Sequence, residues 1–415
     1  MVKWISFLSA LLLGISTSTF ALDHDEQLKL IIDIYNLDPA SCDINNDLID
    51  PRLTAIGEAV FNTTVLSGDK DTSCSTCHVD ELTLTDGLPV SVGVGGEGEG
   101  PERMKSNGVI VPRNSFTLFG RASEKYSVFF WDGKIHEHND KIFSPIGEGY
   151  QSGFNSPLAV AAVLPILARD EFLGQQSFFE SNKHLEGINE AFFRDKINAA
   201  NSVLNQILKE KNDPDVEEFR RALKKAGVNQ PDLPLIGNAL ASFIASKVSE
   251  CSPSPWDRYL EGDKKALTEK QKEGAILFFG KGRCAGCHSG SLFTDFNFHS
   301  IGVPQGEFGT HIHRQDIGRA GVTFEIEDRY KFRTPPLIKV SETAPYGHNG
   351  AFSSLKEVIS FHINPIPFFT ETGWKSNREL LGYGKILSTR SEILGHIEIS
   401  DEEELLLLTK YLEAL

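Results

Sequence analysis

The chain has 415 residues, with 41 basic against 57 acidic side chains and a net charge of −16. That balance argues against nucleic acid and anionic membrane as partners, since both repel it; it suits a basic protein partner or a plainly solvated surface. The length suffices for two or three hydrophobic cores, and no stretch reaches the ~18 uninterrupted apolar residues of a membrane span.

Residues 1–21 read as an export signal. Lys3 gives a positive start, Ile5 to Ile15 an apolar core too short to cross a bilayer, and Thr19-Phe20-Ala21 a small-residue cleavage site before Leu22. The remainder is expected in the periplasm, an oxidising compartment. From Asp25 to Leu37, Leu28, Ile31, Ile32 and Tyr35 recur at helical spacing, and a second helix begins at Leu53 and runs to Phe61. Cys74-Ser75-Thr76-Cys77-His78 follows. Residues 87–112 are Gly-rich and read as a mobile loop. Order resumes from Asn114 and ends at Phe129-Phe130-Trp131-Asp132-Gly133, followed by a polar insertion at 134–156.

Pro157 to Leu173 is an Ala-rich helical run interrupted at Pro165. Two amphipathic helices are expected near 188–209 and 215–226, and a further helix from Leu235 to Val248. Ser252-Pro253-Ser254-Pro255 reads as a linker between two units, 22–251 and 256–415. Ala266 to Phe279 is a helix leading into Cys284-Ala285-Gly286-Cys287-His288. Residues 289–340 are mostly loop, and Ser354 to Phe361 and Glu402 to Ala414 close the chain as helices. Strand signals are few, so the fold class is mostly α, with one core in each half.

The two C-x-x-C-H motifs carry the chemistry. The thiols add across the vinyl groups of a haem, and the adjacent imidazole becomes an axial iron ligand. A zinc site would place its second cysteine pair about 12–20 residues away, whereas residues 79 to 283 lie between these motifs. Two covalently bound c-type haems are therefore expected, at Cys74, Cys77, His78 and at Cys284, Cys287, His288. Cys42 and Cys251 remain, either as a disulfide or as two separate buried thiols. Of the chain's two methionines, Met1 leaves with the signal and Met104 lies in the first half, so no local His/Met haem can form in the second. His299, His311, His313, His348, His362, His396 and Tyr346 remain as sixth-ligand candidates there.

The chain resembles the bacterial dihaem cytochrome c peroxidases and the related MauG enzymes. The marks are Phe130-Trp131-Asp132-Gly133, Trp256-Asp257-Arg258-Tyr259-Leu260, Phe298-His299-Ser300-Ile301-Gly302, Phe332-Arg333-Thr334-Pro335-Pro336-Leu337 and Ala344-Pro345-Tyr346-Gly347-His348-Asn349-Gly350. The resemblance implies two cytochrome c-like haem domains packed together, the first peroxidatic and the second electron-transferring. In that family the second haem's sixth ligand lies fourteen residues beyond the histidine of A-P-Y-x-H-x-G. It is methionine in the peroxidases and tyrosine in MauG; here the position is His362, which implies a bis-histidine haem. The peroxidases carry a distal histidine after their first motif, but none occurs here between His78 and His136. The first site is thus expected to stay open as in MauG, with Met104 the one soft ligand nearby.

The family's distal pocket carries Gln, Pro and Glu. An ungapped count from Trp131 reaches Lys141, Pro145 and Gln151. A gapped placement gives Ala161, Pro165 and Glu171 and accounts for the insertion, so Glu171 is the expected acid/base. Trp131 matches a residue relaying electrons between the haems, and Asn114, Thr343 and Pro345 match an interhaem calcium site. The implied reaction is reduction of hydrogen peroxide with electrons from a cytochrome c or cupredoxin. The alternatives are MauG-like oxidation of a partner protein and a non-enzymatic dihaem electron carrier. A homodimer is also compatible with the resemblance.

Overall fold

A computed structural model describes residues 22–139, 141–146, 152–174, 196–305, 315–372 and 377–415. In the first half, helix Pro51–Asn62 starts with Pro51 in its first turn and Asp50 accepting from the Arg52 amide, which satisfies a free helix-end donor. It crosses helix Leu233–Val248, whose nearly continuous apolar surface marks it as a fully buried core helix. The crossing is close because Gly57 lacks a side chain: a Cβ there would sit 2.0 Å from the Ala239 carbonyl oxygen. Helix Pro157–Val163 packs on the far side of the same buried helix.

The second half repeats the device. Helix Glu269–Phe279 begins with a reciprocal cap between Thr268 and Gln271 and crosses helix Glu402–Leu412. Here a Cβ on Gly274 would lie 2.0 Å from the Leu407 carbonyl oxygen. The N-terminal helix His24–Tyr35, though first in the chain, packs here: Leu28 and Leu37 join Trp256, Phe278 and Tyr411 in the second core. A boundary drawn at 251 therefore does not follow the cores, since the chain enters the second core, leaves it after Leu37 and returns at Trp256.

Both crossing segments are fastened together. Cys42 and Cys251 form a disulfide with Cα atoms 5.7 Å apart. Buried Asp257 accepts from the Ala40 amide at 3.0 Å and from the Ser41 and Ser254 amides at 3.2 Å. The Ser-Pro stretch is thus less a linker than a helix start, with Ser254 capping Pro255–Leu260.

Several elements depart from sequence expectation. The Gly-rich segment 87–112 is organised by Arg103, 0% exposed, whose guanidinium donates to the carbonyls of Val92, Gly93, Gly98 and Asp71 and to the Thr72 hydroxyl; within it strands Ser91–Val92 and Ile110–Val111 pair antiparallel. The polar insertion opens with a hairpin, Ile135–His138 against Lys141–Phe143, whose first strand also pairs with Val128–Phe129. Helices Ile366–Thr372 and Asn377–Leu387 escaped notice because Pro367, Gly382 and Gly384 interrupt their apolar pattern. Of the two amphipathic helices, Lys196–Ile207 and Pro214–Lys225 form as expected; residues 188–195 of the first lie outside the described residues. No described helix is long and apolar enough to cross a membrane.

Candidate haem sites

Each C-x-x-C-H motif is a single tight turn. The His78 amide donates to the Cys74 carbonyl and the His288 amide to that of Cys284, both at 2.9 Å, so the two cysteines and the histidine emerge from one turn of backbone. Each imidazole is oriented by a carbonyl a few residues on: Nδ1–H of His78 donates to Leu84 O at 2.8 Å, and that of His288 to Phe293 O at 3.0 Å. With Nδ1 occupied, Nε2 is the nitrogen left to bind a metal. Burial presses both imidazoles down to about 4, with His362 adding to the effect at His288, so both rings are neutral at physiological pH.

The first motif lines a cavity of about 390 Å³. Ala161, Pro165 and Glu171 line it too, which unites the residues of the gapped placement, whereas Lys141 and Pro145 do not reach it. The Ala-rich run breaks into helix Pro157–Val163, a tight turn at Pro165–Leu167 and a wide turn at Arg169–Leu173. Two backbone bonds seat that last turn, Val94 N–H to Glu171 O and Gly68 N–H to Phe172 O. Desolvation pushes the Glu171 carboxyl above its ordinary range, against the pull of Lys134 and Arg113. Ala161 offers only a methyl where an amide was the family expectation. Met104 is 43% exposed and does not line the cavity, so it is a surface residue in this conformation.

The second motif lines a cavity of about 240 Å³, shared with His362. Helix Leu355–Ile363 presents His362 with its Nδ1–H donated to Val358 O at 2.7 Å, again leaving Nε2 free. The competing ligands have other employment. His299 is paired with Asp295 at 2.8 Å, which holds the imidazole above its ordinary range. His348 is stacked on Phe332 with ring centroids 3.6 Å apart, Tyr346 donates its hydroxyl to Val340 O, and His396 does not line the cavity. His311 and His313 lie outside the described residues, as does Gln151.

Buried Trp131 lines both cavities, and its indole N–H donates to Asn114 O at 3.0 Å. Arg333 sets its position: the Arg333 amide donates to Trp131 O and its Nε to Phe130 O. Asn114, Thr343 and Pro345 all line the second cavity, where oxygen donors could gather round a hard cation.

Sequence reasoning missed the charges that brace this wall. Arg113 donates to Asp132 at 2.6 Å and to Asp316 at 2.7 and 2.9 Å. Burial works to raise the Asp316 carboxyl, but the hydrogen bonds and charge of Arg113 hold it down at about 2. The only hint was Asp132 within the Trp-Asp-Gly motif; Asp316 sits in a loop without periodicity. Apolar walls, cysteines from a single turn and an oriented imidazole in each cavity fit a haem at both places.

The comparisons agree. The sequence profile of the family described as di-haem cytochrome c peroxidase matches residues 51–265, just over half of the chain. The cytochrome-c peroxidase IdrP1 of Pseudomonas sp. strain SCT is 29% identical over 334 residues, covering 74% of this chain and 71% of that protein. The methylamine utilization protein MauG of Methylorubrum extorquens is 28% identical over 317 residues, covering 76% and 69%. The crystal structure of the diheme peroxidase BthA from Burkholderia thailandensis superposes with a TM-score of 0.57 at 19% identity, covering 88% of this chain and 86% of that one, a likeness of fold. This chain therefore belongs to the di-haem cytochrome c peroxidase family, oxidoreductases that carry two haems in a mostly α-helical frame.

Proposed function

We propose that the protein is an exported, periplasmic peroxidase that reduces hydrogen peroxide to water in the first cavity, with both haems held through thioethers to Cys74 and Cys77 and to Cys284 and Cys287. When bound, the first haem supplies the iron at which peroxide is cleaved, two electrons and two protons yielding two waters. Glu171 accepts the proton of the nearer peroxide oxygen and returns it to the leaving one, a task suited to a carboxyl whose pKa is raised toward the working pH. Pro165 and Ala161 keep the wall beside it apolar. Electrons would enter from a small donor, a cytochrome c or cupredoxin, on the side of the second cavity, where His288 and His362, each with Nε2 free, would hold the second haem. Trp131, common to both cavities, carries them across. Asn114, Thr343 and Pro345, which line the second cavity, would supply oxygen donors to a calcium ion.

The observation that carries this reading is that His78 and Glu171, far apart in sequence, line one cavity. Steady-state turnover of reduced cytochrome c with peroxide tests it: rapid turnover supports a peroxidase, and inertness toward peroxide leaves an electron carrier. The second reading, oxidation of a side chain on a partner protein, is favoured by Ala161 and by the lack of any histidine between His78 and His136 to close the first site. Slow turnover with oxidised residues appearing on a partner would select it.

A further inference from the structure

The wall shared by the two cavities contains a charge that the described residues leave without a counter-ion. Arg121 is 4% exposed and lines both cavities. Its Nε donates to Thr117 O at 3.0 Å, and its guanidinium lies over Phe116 at 4.3 Å and Tyr126 at 4.6 Å. Its Nη1 is buried without any acceptor, and among the described residues it enters no ion pair within 4.0 Å. Neighbouring Arg113 is half-buried yet held by two aspartates, so this region does not lack carboxylates in general.

A second guanidinium of the same kind stands close by. Arg333 is 1% exposed, donates only to the carbonyls of Phe130 and Thr334, lies over the same Tyr126 ring at 5.7 Å and lines the second cavity. Burial drives both arginines below their ordinary range, and the charge of Arg333 presses further on Arg121. An arginine does not give up its proton in a protein, and a buried, unpaired cation is strongly unfavourable. Two such cations facing these cavities are retained for anions that the described residues do not supply.

A haem brings two propionate carboxylates, and planar guanidinium forks match carboxylates. We infer that Arg121 is a shared anchor for the propionates of both haems, with Arg333 a second cation on the side of the second cavity. The inference rests on the dihaem reading and extends it, since one side chain then couples two redox centres. A cation between them disfavours the extra positive charge of either ferric iron, so Arg121 raises both reduction potentials.

Spectroelectrochemical titration of the purified holoprotein tests this. Arg121→Gln lowers the reduction equilibrium constant of both haems at least tenfold, about 59 mV for one electron; Arg121→Lys, which keeps the charge, recovers most of that loss. Arg333→Gln shifts the second haem more than the first. Unmoved potentials in Arg121→Gln, a shift in one haem only, or equal behaviour of the Gln and Lys variants would assign Arg121 to packing and overturn the inference. Should Arg121→Gln fail to accumulate, the propionate bending band in resonance Raman spectra decides: it moves between wild type and Arg121→Lys, and an unchanged band refutes the anchor. A holoprotein mass without two porphyrin increments sinks the dihaem reading itself, whereas two haems with unmoved potentials sink only the anchor.

Discussion

Helix Pro51–Asn62 crosses Leu233–Val248 over Gly57, and helix Glu269–Phe279 crosses Glu402–Leu412 over Gly274. Each crossing leads into a C-x-x-C-H turn whose imidazole is fixed by a carbonyl, Leu84 in one half and Phe293 in the other. On the other walls the halves part company. The first cavity has Ala161, Pro165 and a desolvated Glu171; the second has His362, oriented like a ligand by Val358. One frame thus holds two differently lined cavities, and the difference rests on a few side chains that the C-x-x-C-H motif does not dictate.

Removing His362 would make the two halves alike. In His362→Ala, the low-spin ferric signal of a bis-histidine haem is expected to be replaced entirely by a second high-spin signal in the electron paramagnetic resonance spectrum; an unchanged low-spin signal would remove His362 from the coordination sphere. Glu171→Gln should act only on the first half. Peroxide turnover falls by about 10²–10⁴-fold while the spectrum of the second haem is unchanged. The pH profile carries the sign. Because the raised carboxyl must be ionised to accept a proton, kcat/KM in the wild type falls as pH drops through a value above the ordinary glutamate pKa of ~4.3, and the Gln variant loses that limb.

Arg113→Ala attacks the wall common to both halves. It leaves Asp132 and Asp316 buried without their cation, and a loss of about 3–5 kcal/mol is expected in denaturant unfolding. In the wild type the Asp316 carboxyl is depressed, so its contribution is fully present above the unfolded pKa of ~3.9 and is lost as pH falls through about 2. The smallest effects should come from Gly57→Ala and Gly274→Ala. Each drives a methyl into a carbonyl oxygen 2.0 Å away and should cost about 1–3 kcal/mol. Similar losses of haem retention in the two variants would support the equivalence of the crossings; a loss confined to one would break it.

Much of this was legible in the chain. The expected haem attachment motifs are spacings within five residues, and most helices follow from apolar repeats. The mobile-loop reading of 87–112 failed because Arg103, a charged residue with no local signal, serves as the centre of that segment. The hairpin after Trp131 hid in a stretch read only for polarity, although Ile135 and Ile142 alternate within it. The place of helix His24–Tyr35 in the second core could not be seen from its own amphipathic pattern, which says that one face is buried but not against what.

Taken alone, the sequence determined the local pattern: where the two C-x-x-C-H motifs lie, which histidine follows each cysteine pair, and that the second half holds no methionine. Tertiary structure decided the relations between distant residues. It joined Cys42 to Cys251, put Glu171 rather than Lys141 or Pro145 beside His78, made Trp131 and Arg121 common to both cavities, and braced Arg113 with Asp316. The physical reason is range. Tether spacing and helix period are set by the geometry of a single turn, whereas contacts across the interior depend on how whole elements pack, and no short window of sequence records that.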